Sequence, residues 1–476
     1  MRATAWRRVA GRLQCDGLGN RTVTPQDQYI DRQRAAFEAE LCEWLRIPSV
    51  SADPAYADEV LRAAAWAVAT LERTGLETEV VETAGHPIVL AQSPPIAGKP
   101  TALVYGHYDV QPADPLPEWI SPPFEPAVRA GNLYARGATD DKGQLLTHLL
   151  GVRAWLETAG QLPLQVKFVI EGEEEVGSEG LARFLATGPE RLACDCVVVS
   201  DTCQFGPGQP AITYGLRGIA YYELRLSGPR QDLHSGSFGG GVTNPALTLA
   251  RMLAALVDSE GRIRVPGFYD NVAPVSAQER RQIAALPFDQ AAFEAQVGVA
   301  GTVGERGYSS LERRWIRPSC DVNGMWSGYQ GEGAKTVLPA TAGAKFSFRL
   351  VPNQDPAALT ARLREYLQAL VPAGIRMELV DFHASPGLVV ALDSPYVQAA
   401  SRAIAHAFGA TPVFVREGGS IPILGALAER LEADPLLLGW GQNDDNTHGP
   451  NEKFCLADFH RAIKASARLW QELARC

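Results

Sequence analysis

Thr101-Ala102-Leu103-Val104-Tyr105-Gly106-His107-Tyr108-Asp109 reads as an apolar strand that runs out into a histidine and an aspartate. Residues two apart on an extended chain project to the same side, so the strand end delivers His107 and Asp109 together. Strand-like runs recur on both sides of it, at 77–82, 88–91, 166–170 and 196–200. Helical patterns separate them at about 57–74, 143–158 and 179–187. A further helix is predicted over 27–47, where Tyr29, Ile30, Phe37, Leu41, Trp44 and Leu45 keep helical spacing up to Pro48. Apolar strands interleaved with amphipathic helices predict an α/β layer, its mixed and mostly parallel sheet covered on both faces.

After about residue 212 the period changes. Ala220, Tyr222, Leu224 and Leu226 share one parity against Glu223 and Arg225. Ala342, Ala344, Phe346, Phe348 and Leu350 repeat the pattern against Lys345, Ser347 and Arg349. Such alternation predicts a sheet with one covered and one open face. Asn244-Pro245 and Asp355-Pro356 each supply a cap and a first-turn proline for a helix. The second carries the stripe Leu359, Leu363, Tyr366, Leu367 and Leu370. Residues 213–386 therefore read as a smaller α+β, ferredoxin-like module that interrupts the α/β domain, whose two parts are 25–212 and 387–476. In the second part the α/β pattern resumes, with helices near 394–409, near 421–431 and from about 456.

The whole-chain balance of 44 basic and 54 acidic residues offers no broad basic face for nucleic acid or anionic lipid. No apolar run reaches the roughly 18 residues of a membrane span. Cysteines at 15, 42, 194, 196, 203, 320, 455 and 476 form no paired metal-binding spacing and fit reduced thiols in the cytoplasm. Residues 1–24 carry Arg2, Arg7, Arg8 and Arg12 without a continuous apolar stretch, and are expected to be a disordered leader.

The chemistry gathers where strands end. After His107 and Asp109 comes Asp140 in Gly137-Ala138-Thr139-Asp140-Asp141-Lys142-Gly143, a turn that opens a helix. Glu173, Glu174 and Glu175 follow the strand 166–170, and Asp201 follows 196–200. Far downstream, Asn446-Thr447-His448-Gly449-Pro450-Asn451-Glu452 sets a histidine in a loop before the last helix. Acids crowded in this way repel one another unless cations or protons neutralise them. Each acid alone reads equally well as a helix cap or a solvated face. Together, at the carboxyl ends of α/β strands, they suit two zinc-like ions sharing a carboxylate. Asp109 is placed to hold the other ring nitrogen of His107.

With these residues, and with His107-Tyr108-Asp109-Val110-Gln111-Pro112, Thr213-Tyr214-Gly215-Leu216-Arg217-Gly218 and Arg416-Glu417-Gly418-Gly419-Ser420-Ile421-Pro422, the chain resembles the co-catalytic metallopeptidase superfamily of carboxypeptidases, aminoacylases, desuccinylases and dipeptidases. It looks most like the cytosolic non-specific, carnosine-type dipeptidases. The resemblance implies His107, Asp140, Glu175, Asp201 and His448 as ligands of two divalent ions, Asp140 bridging; zinc is expected, with manganese and cobalt as alternatives. It implies Glu174 as general base, with Glu173 as its rival in register, and Asp109 as orienter of His107. The module 213–386 becomes a lid and dimerisation domain, and His234 a residue donated to a neighbouring subunit's site in a homodimer. Thr336, Arg349, Gly419 and Ser420 would hold a small peptide, Arg349 and the glycine-serine loop through its terminal carboxylate. The implied reaction is amide hydrolysis of dipeptides or small peptides. The rivals are an acyl-amino-acid deacylase, a carboxypeptidase, or a metal-loaded peptide-binding protein without activity.

Overall fold

The computed structural model describes residues 23–476, so the leader expected at 1–24 lies outside the described residues except for its last two. Thr24 caps the first helix. Its side chain accepts the N–H of Asp27, the Asp27 carboxylate answers its backbone N–H, and Pro25 follows at the first helical position. The single helix expected over 27–47 is two, Pro25–Arg32 and Arg34–Leu45, broken at Gln33. Both still send their apolar residues, Ile30, Phe37, Leu41 and Trp44 among them, into one core.

The main sheet has nine strands. Across it run Glu77–Val81, Ile88–Gln92, Gln165–Glu171, Thr101–His107, Cys196–Val199, Asp434–Gly439 and Ala211–Leu216, and the last also pairs with Leu388–Val389 and Val413–Glu417. The central four, Gln165–Glu171 to Asp434–Gly439, are parallel, which brings their carboxyl ends to one edge. Antiparallel pairings flank them, with Val413–Glu417 parallel to Ala211–Leu216. Helices Ala57–Arg73, Lys142–Ala159, Pro395–Phe408 and Leu456–Leu473 cover one face, and Glu179–Thr187 and Pro422–Leu431 the other.

The second sheet has four antiparallel strands in the order Ser319–Ser327, Thr341–Leu350, Gly218–Ser227, Arg376–Ser385. With helices Pro245–Ala254 and Pro356–Ala369 on one face, this is a ferredoxin-like arrangement. The alternation is what sorts the faces. Ala220, Tyr222, Leu224, Phe346 and Phe348 are buried under the helices, while Tyr221, Lys345 and Arg349 stand on the other side.

Strand Ala211–Leu216 still belongs to the main sheet, so the chain leaves that sheet at Arg217, a few residues after the boundary expected between 212 and 213. Both runs are extended and apolar, and only the kink between them separates the sheets. The chain returns between Ser385 and Leu388. The two crossings touch through backbone: a Cβ on Gly218 would lie 2.3 Å from the carbonyl oxygen of Ser385 and 2.6 Å from the nitrogen of Gly387. A second tie was not legible in the pattern. Helices Ala277–Ala284, Gln290–Val297 and Ser310–Trp315 are too short to show a clear stripe. Ile283, Leu311, Trp315 and Ile316 from this segment pack on Val415 and Ala211 of the main sheet. Glu279 joins them by accepting from Tyr214 Oη at 2.9 Å and pairing with Arg416 at 2.5 Å.

Among the described residues every cysteine is a free thiol, and no helix is long and apolar enough to cross a membrane. His148 sits in the main core between Ser200 Oγ, 2.7 Å from Nε2, and Ser466 Oγ, 3.1 Å from Nδ1. Burial pushes its imidazole from 6.5 down to about 3. The folded state thus stays unprotonated at His148 where the unfolded chain takes up a proton. The associated stability is intact above pH 6.5 and is lost as pH falls toward 3, at roughly 1.4 kcal/mol per pH unit. Scanning calorimetry between pH 7 and pH 5 in the presence of chelator should therefore show a steeper fall in Tm for the natural chain than for His148→Gln. Parallel profiles would contradict the assignment.

Candidate active site

The parallel register explains why residues so distant in sequence meet. His107 stands opposite Glu171, and Tyr105 stands opposite both Val169 and Val199. The loops leaving these neighbouring strands carry Glu173–Glu175 and Asp201 to the same edge as His107. The fourth parallel strand, Asp434–Gly439, leads into the loop of His448. Asp140 comes from the turn before helix Lys142–Ala159. That turn closes only on glycine at 143, where a Cβ would stand 1.9 Å from the Ala138 carbonyl oxygen.

Two groups of ligand types result, one of His107, Asp140 and Asp201 and one of Asp140, Glu175 and His448, each with ligand atoms within 4.8 Å of one another. Asp140 belongs to both. Its Oδ1 lies 3.2 Å from His107 Nε2, and its Oδ2 lies 2.9 Å from His448 Nε2. Glu175 Oε2 is 3.5 Å from the same His448 nitrogen and accepts from Gln111 Nε2 at 2.7 Å. Asp109 is fully buried behind His107. Its carbonyl and carboxylate oxygens lie 3.1 and 3.3 Å from Nδ1. A proton on Nδ1 leaves Nε2 with its lone pair toward the cluster. The Asp109 carboxylate also accepts the backbone N–H of Glu174 and Glu175 and the hydroxyl of Ser51, so it fixes strand end and glutamate loop together.

The electrostatics follow from crowding in a dry place. Burial and the neighbouring acids push Asp201, Glu174 and Glu175 well above the ordinary carboxylate range. Burial would do the same to Asp140, but the imidazoles of His107 and His448 hold it well below that range. His107 Nε2 and Glu175 Oε1 are buried without a hydrogen-bond partner, the Nε2 contact to Asp140 not being aligned as one. An orphaned nitrogen in one ligand group and an orphaned oxygen in the other, among acids that resist ionisation, fit a pair of divalent cations. Glu173 belongs to neither group of ligand types, and its Oε2 accepts the N–H of Gly180 at 3.0 Å. The Glu174 carboxylate has no hydrogen-bond partner among the described residues and feels the charges of His107, Asp201 and Asp140.

A second cluster lies where the sheets adjoin. Arg349 Nη1 donates to Ser420 Oγ at 3.0 Å, and Ser420 Oγ donates to the Arg217 carbonyl at 2.6 Å. Arg217 in turn bonds the carbonyl oxygens of Gly418 and Arg317, which shapes the loop holding Gly419. His234 and Thr336 are near each other but away from both clusters. They lie at the end of the ribbon pairing Leu233–His234 with Val337–Leu338, both exposed, and the Thr336 carbonyl accepts the N–H of Ser235.

Sequence reasoning missed the support beneath the cluster. Glu452 is fully buried and accepts from Arg136 Nη1 and from the backbone N–H of Gly137, Thr139 and Asp140. It holds the turn that presents Asp140. Its neighbour Asn451 accepts the N–H of Ile120 and donates to the Glu118 carbonyl, clamping a loop in which Asn446, His448 and Asn451 all have left-handed backbone. Such conformations cost energy and persist only where surroundings impose them. A glutamate four residues past a loop histidine carries no signal of this role.

Strand-end acids and imidazoles on a parallel sheet, with a ferredoxin-like module inserted, define a hydrolase of the metallopeptidase kind. The chain belongs to peptidase family M20/M25/M40, whose model matches residues 103–472. Within that family it is similar to the Cys-Gly metallodipeptidase dug1 of Schizosaccharomyces pombe, 33% identical over 463 residues that span 94% of this chain and 97% of that protein. It is similar in the same degree to the Beta-Ala-His dipeptidase of Homo sapiens, 33% identical over 466 residues, 94% of this chain and 92% of that one. The solved structure of a metallo-carboxypeptidase, Sso-CP2 of Sulfolobus solfataricus, superposes with a TM-score of 0.85 at 33% identity, covering 92% of this chain and 99% of that chain.

Removing the support should be felt. Glu452→Ala leaves Arg136 buried without a counter-charge and three N–H groups without an acceptor. The expected loss is about 3–5 kcal/mol, read as a lower midpoint in chemical unfolding, together with weaker metal retention on dialysis. Glu452→Gln, which keeps an acceptor, should lose less. Equal midpoints for all three proteins would exclude this role.

Proposed function

We propose that this chain is a metallodipeptidase whose catalytic domain is 25–216 with 387–476, and whose lid is 217–386. The observation that carries the reading is the sharing of Asp140 by two ligand groups, which suits a bridging carboxylate between two cations. His107 and Asp201 would hold one ion and Glu175 and His448 the other. Zinc is the first expectation from mixed imidazole and carboxylate donors, with manganese or cobalt as alternatives. When bound, the ions supply a Lewis acid for the scissile carbonyl and bring the pKa of a water to about 7.

The protein's own residues do the rest. Glu174, which belongs to neither group of ligand types, takes the proton of the attacking water as its oxygen joins the carbonyl carbon. It returns that proton to the amide nitrogen as the carbon–nitrogen bond breaks. Asp109 keeps His107 in the tautomer that faces the site. Arg349, with Ser420 and Gly419, takes the terminal carboxylate of the substrate. Arg349 has no acidic partner within 4.0 Å among the described residues, so one edge of its fork is free for an anion.

His234 is assigned to the oxyanion of a second copy's site, with Thr336 beside it. Its Nδ1 accepts the N–H groups of Gly236 and Ser237, which leaves Nε2 as the proton-bearing donor a developing oxyanion needs. Exposure of both residues, away from their own cluster, supports a homodimer through the lid. Free thiols support a reducing, cytoplasmic setting.

A second reading, carboxypeptidase action on longer peptides, is favoured by the likeness to the Sulfolobus enzyme. Turnover of dipeptides against N-blocked and longer peptides, before and after chelation and with metal analysis, separates the two. Glu174→Gln should retain its metal complement yet lose at least about 100-fold in kcat, the scale of general-base catalysis; near-normal turnover would exclude Glu174 as base. Mixing inactive Glu174→Gln with inactive His234→Ala under subunit exchange should restore activity that neither has alone. A mixture that stays inactive while sedimenting as exchanged dimers would refute donation in trans.

A further inference from the structure

The middle of the smaller sheet's open face is polar, with Glu223, Arg225, Lys345 and Ser347 on it. Apolar rings lie to either side: Trp326 covers Gly343 at one edge strand, and a larger patch lies toward the other edge. Tyr221 and His383 stack with ring centroids 5.5 Å apart and planes 18° from parallel, and Phe382 meets Tyr221 edge-on at 5.8 Å. The core of this module lies on the opposite face under its helices, so these rings are not needed to build it. A single exposed aromatic calls for no explanation. Three in contact do, because of how they come to share a face.

Successive residues of a strand point to opposite sides. Here the register of Arg376–Ser385 against Gly218–Ser227 slips between Asp381 and His383, leaving Phe382 as an extra residue. Asp381 faces the helix side, where it pairs with Arg364. The bulge turns both Phe382 and His383 onto the open face, and bulges commonly re-aim side chains beside active sites. Phe382 is left 50% exposed there, with Lys345 Nζ 5.6 Å from its ring.

The patch adjoins the anion site. Arg349 pairs with Ile219, which pairs in turn with Ser385; one rung on, Ser347 pairs with Tyr221 and Tyr221 with His383. A diagonal step of this kind spans about 7–8 Å. Arg349 and Arg217 both lack an acidic partner within 4.0 Å among the described residues, and helix Pro422–Leu431, which follows Ser420, packs against the same edge strand. Burial and the charge of Arg349 hold His383 below the usual imidazole range, so the rings are uncharged at neutral pH.

We infer that Tyr221, Phe382 and His383 form a shelf for the side chain of the substrate's C-terminal residue, selecting flat rings over small or charged groups. The inference rests on the dipeptidase reading and on Arg349 as carboxylate anchor. A carboxylate held at Arg349 leaves the side chain of the same residue within reach of the shelf, where ring-on-ring packing adds to simple burial. Dipeptides ending in phenylalanine or histidine should therefore be preferred over those ending in glycine or aspartate.

The test compares kcat/KM for Ala-Phe and Ala-Gly on the metal-loaded natural chain, Tyr221→Ala and Phe382→Ala. The natural chain should favour Ala-Phe by at least tenfold, and each substitution should cut that ratio about fivefold, chiefly through KM. Phe382→Leu, which keeps bulk without a ring, should fall between, and Tm measured alongside excludes misfolding as the cause. An unchanged ratio in both alanine variants overturns the shelf. If the natural chain turns over neither peptide, the dipeptidase reading fails separately. Calorimetric binding of Ala-Phe against Ala-Gly to the same proteins then decides the shelf alone, equal affinities counting against it.

Discussion

Mutual repulsion among buried carboxyl groups is the constraint around which this molecule is arranged. Asp140, Glu174, Glu175 and Asp201 occupy one small region at the edge of the main sheet, and solvent reaches it poorly. Left alone, such a group would take up protons or spread apart. The imidazoles of His107 and His448 prevail over burial at Asp140, whereas at Glu174, Glu175 and Asp201 burial and the neighbouring acids outweigh them. Two groups of ligand types that share Asp140 are what a pair of cations needs, and cation charge is what offsets such crowding.

Holding that arrangement takes rigid support on every side. Parallel pairing aligns three strand ends to within two residues. Asp109 ties one strand end to the next loop through two backbone N–H groups, and Glu452 gathers three more under Asp140. In both cases a buried acid is satisfied by backbone amides rather than by solvent, so loop shape and charge position are set by the same bonds. Precision of this kind is what a site needs if catalytic groups are to be poised before substrate arrives.

Much of this was readable in advance because it rests on local pattern. The apolar run 101–106 and the alternation at 342–350 give period directly, and period gives sheet type and covered face. Caps at Asn244 and Asp355 mark helix starts with side-chain chemistry. The convergence of strand-end acids follows from parallel topology once the strands are found. What escaped reading depends on contacts made across the chain. Glu452 pairs with Arg136 over more than three hundred residues, and nothing near either predicts it. The direction in which the Glu173 side chain leaves its loop, toward the Gly180 N–H, is likewise set by a contact that no local pattern encodes. The helices between 277 and 315 are short, and their packing partner is a strand a hundred residues later. The bulge at Phe382 is a register event, which alternation alone would have missed by assigning that ring to the wrong side.

The attachment of the smaller module has a kinematic consequence. It joins the main sheet at the paired crossings of Gly218 and Gly387, and again through Ile283, Leu311 and Trp315 against Val415. A body fixed at one point can tumble in any direction, whereas a body fixed at two can only turn about the line between them. Any rigid swing that spares both anchorages is confined to that single axis, so opening and closing retrace one path. Arg349 and the aromatic patch ride on the same sheet and travel that path as a unit, keeping their mutual spacing whatever the angle.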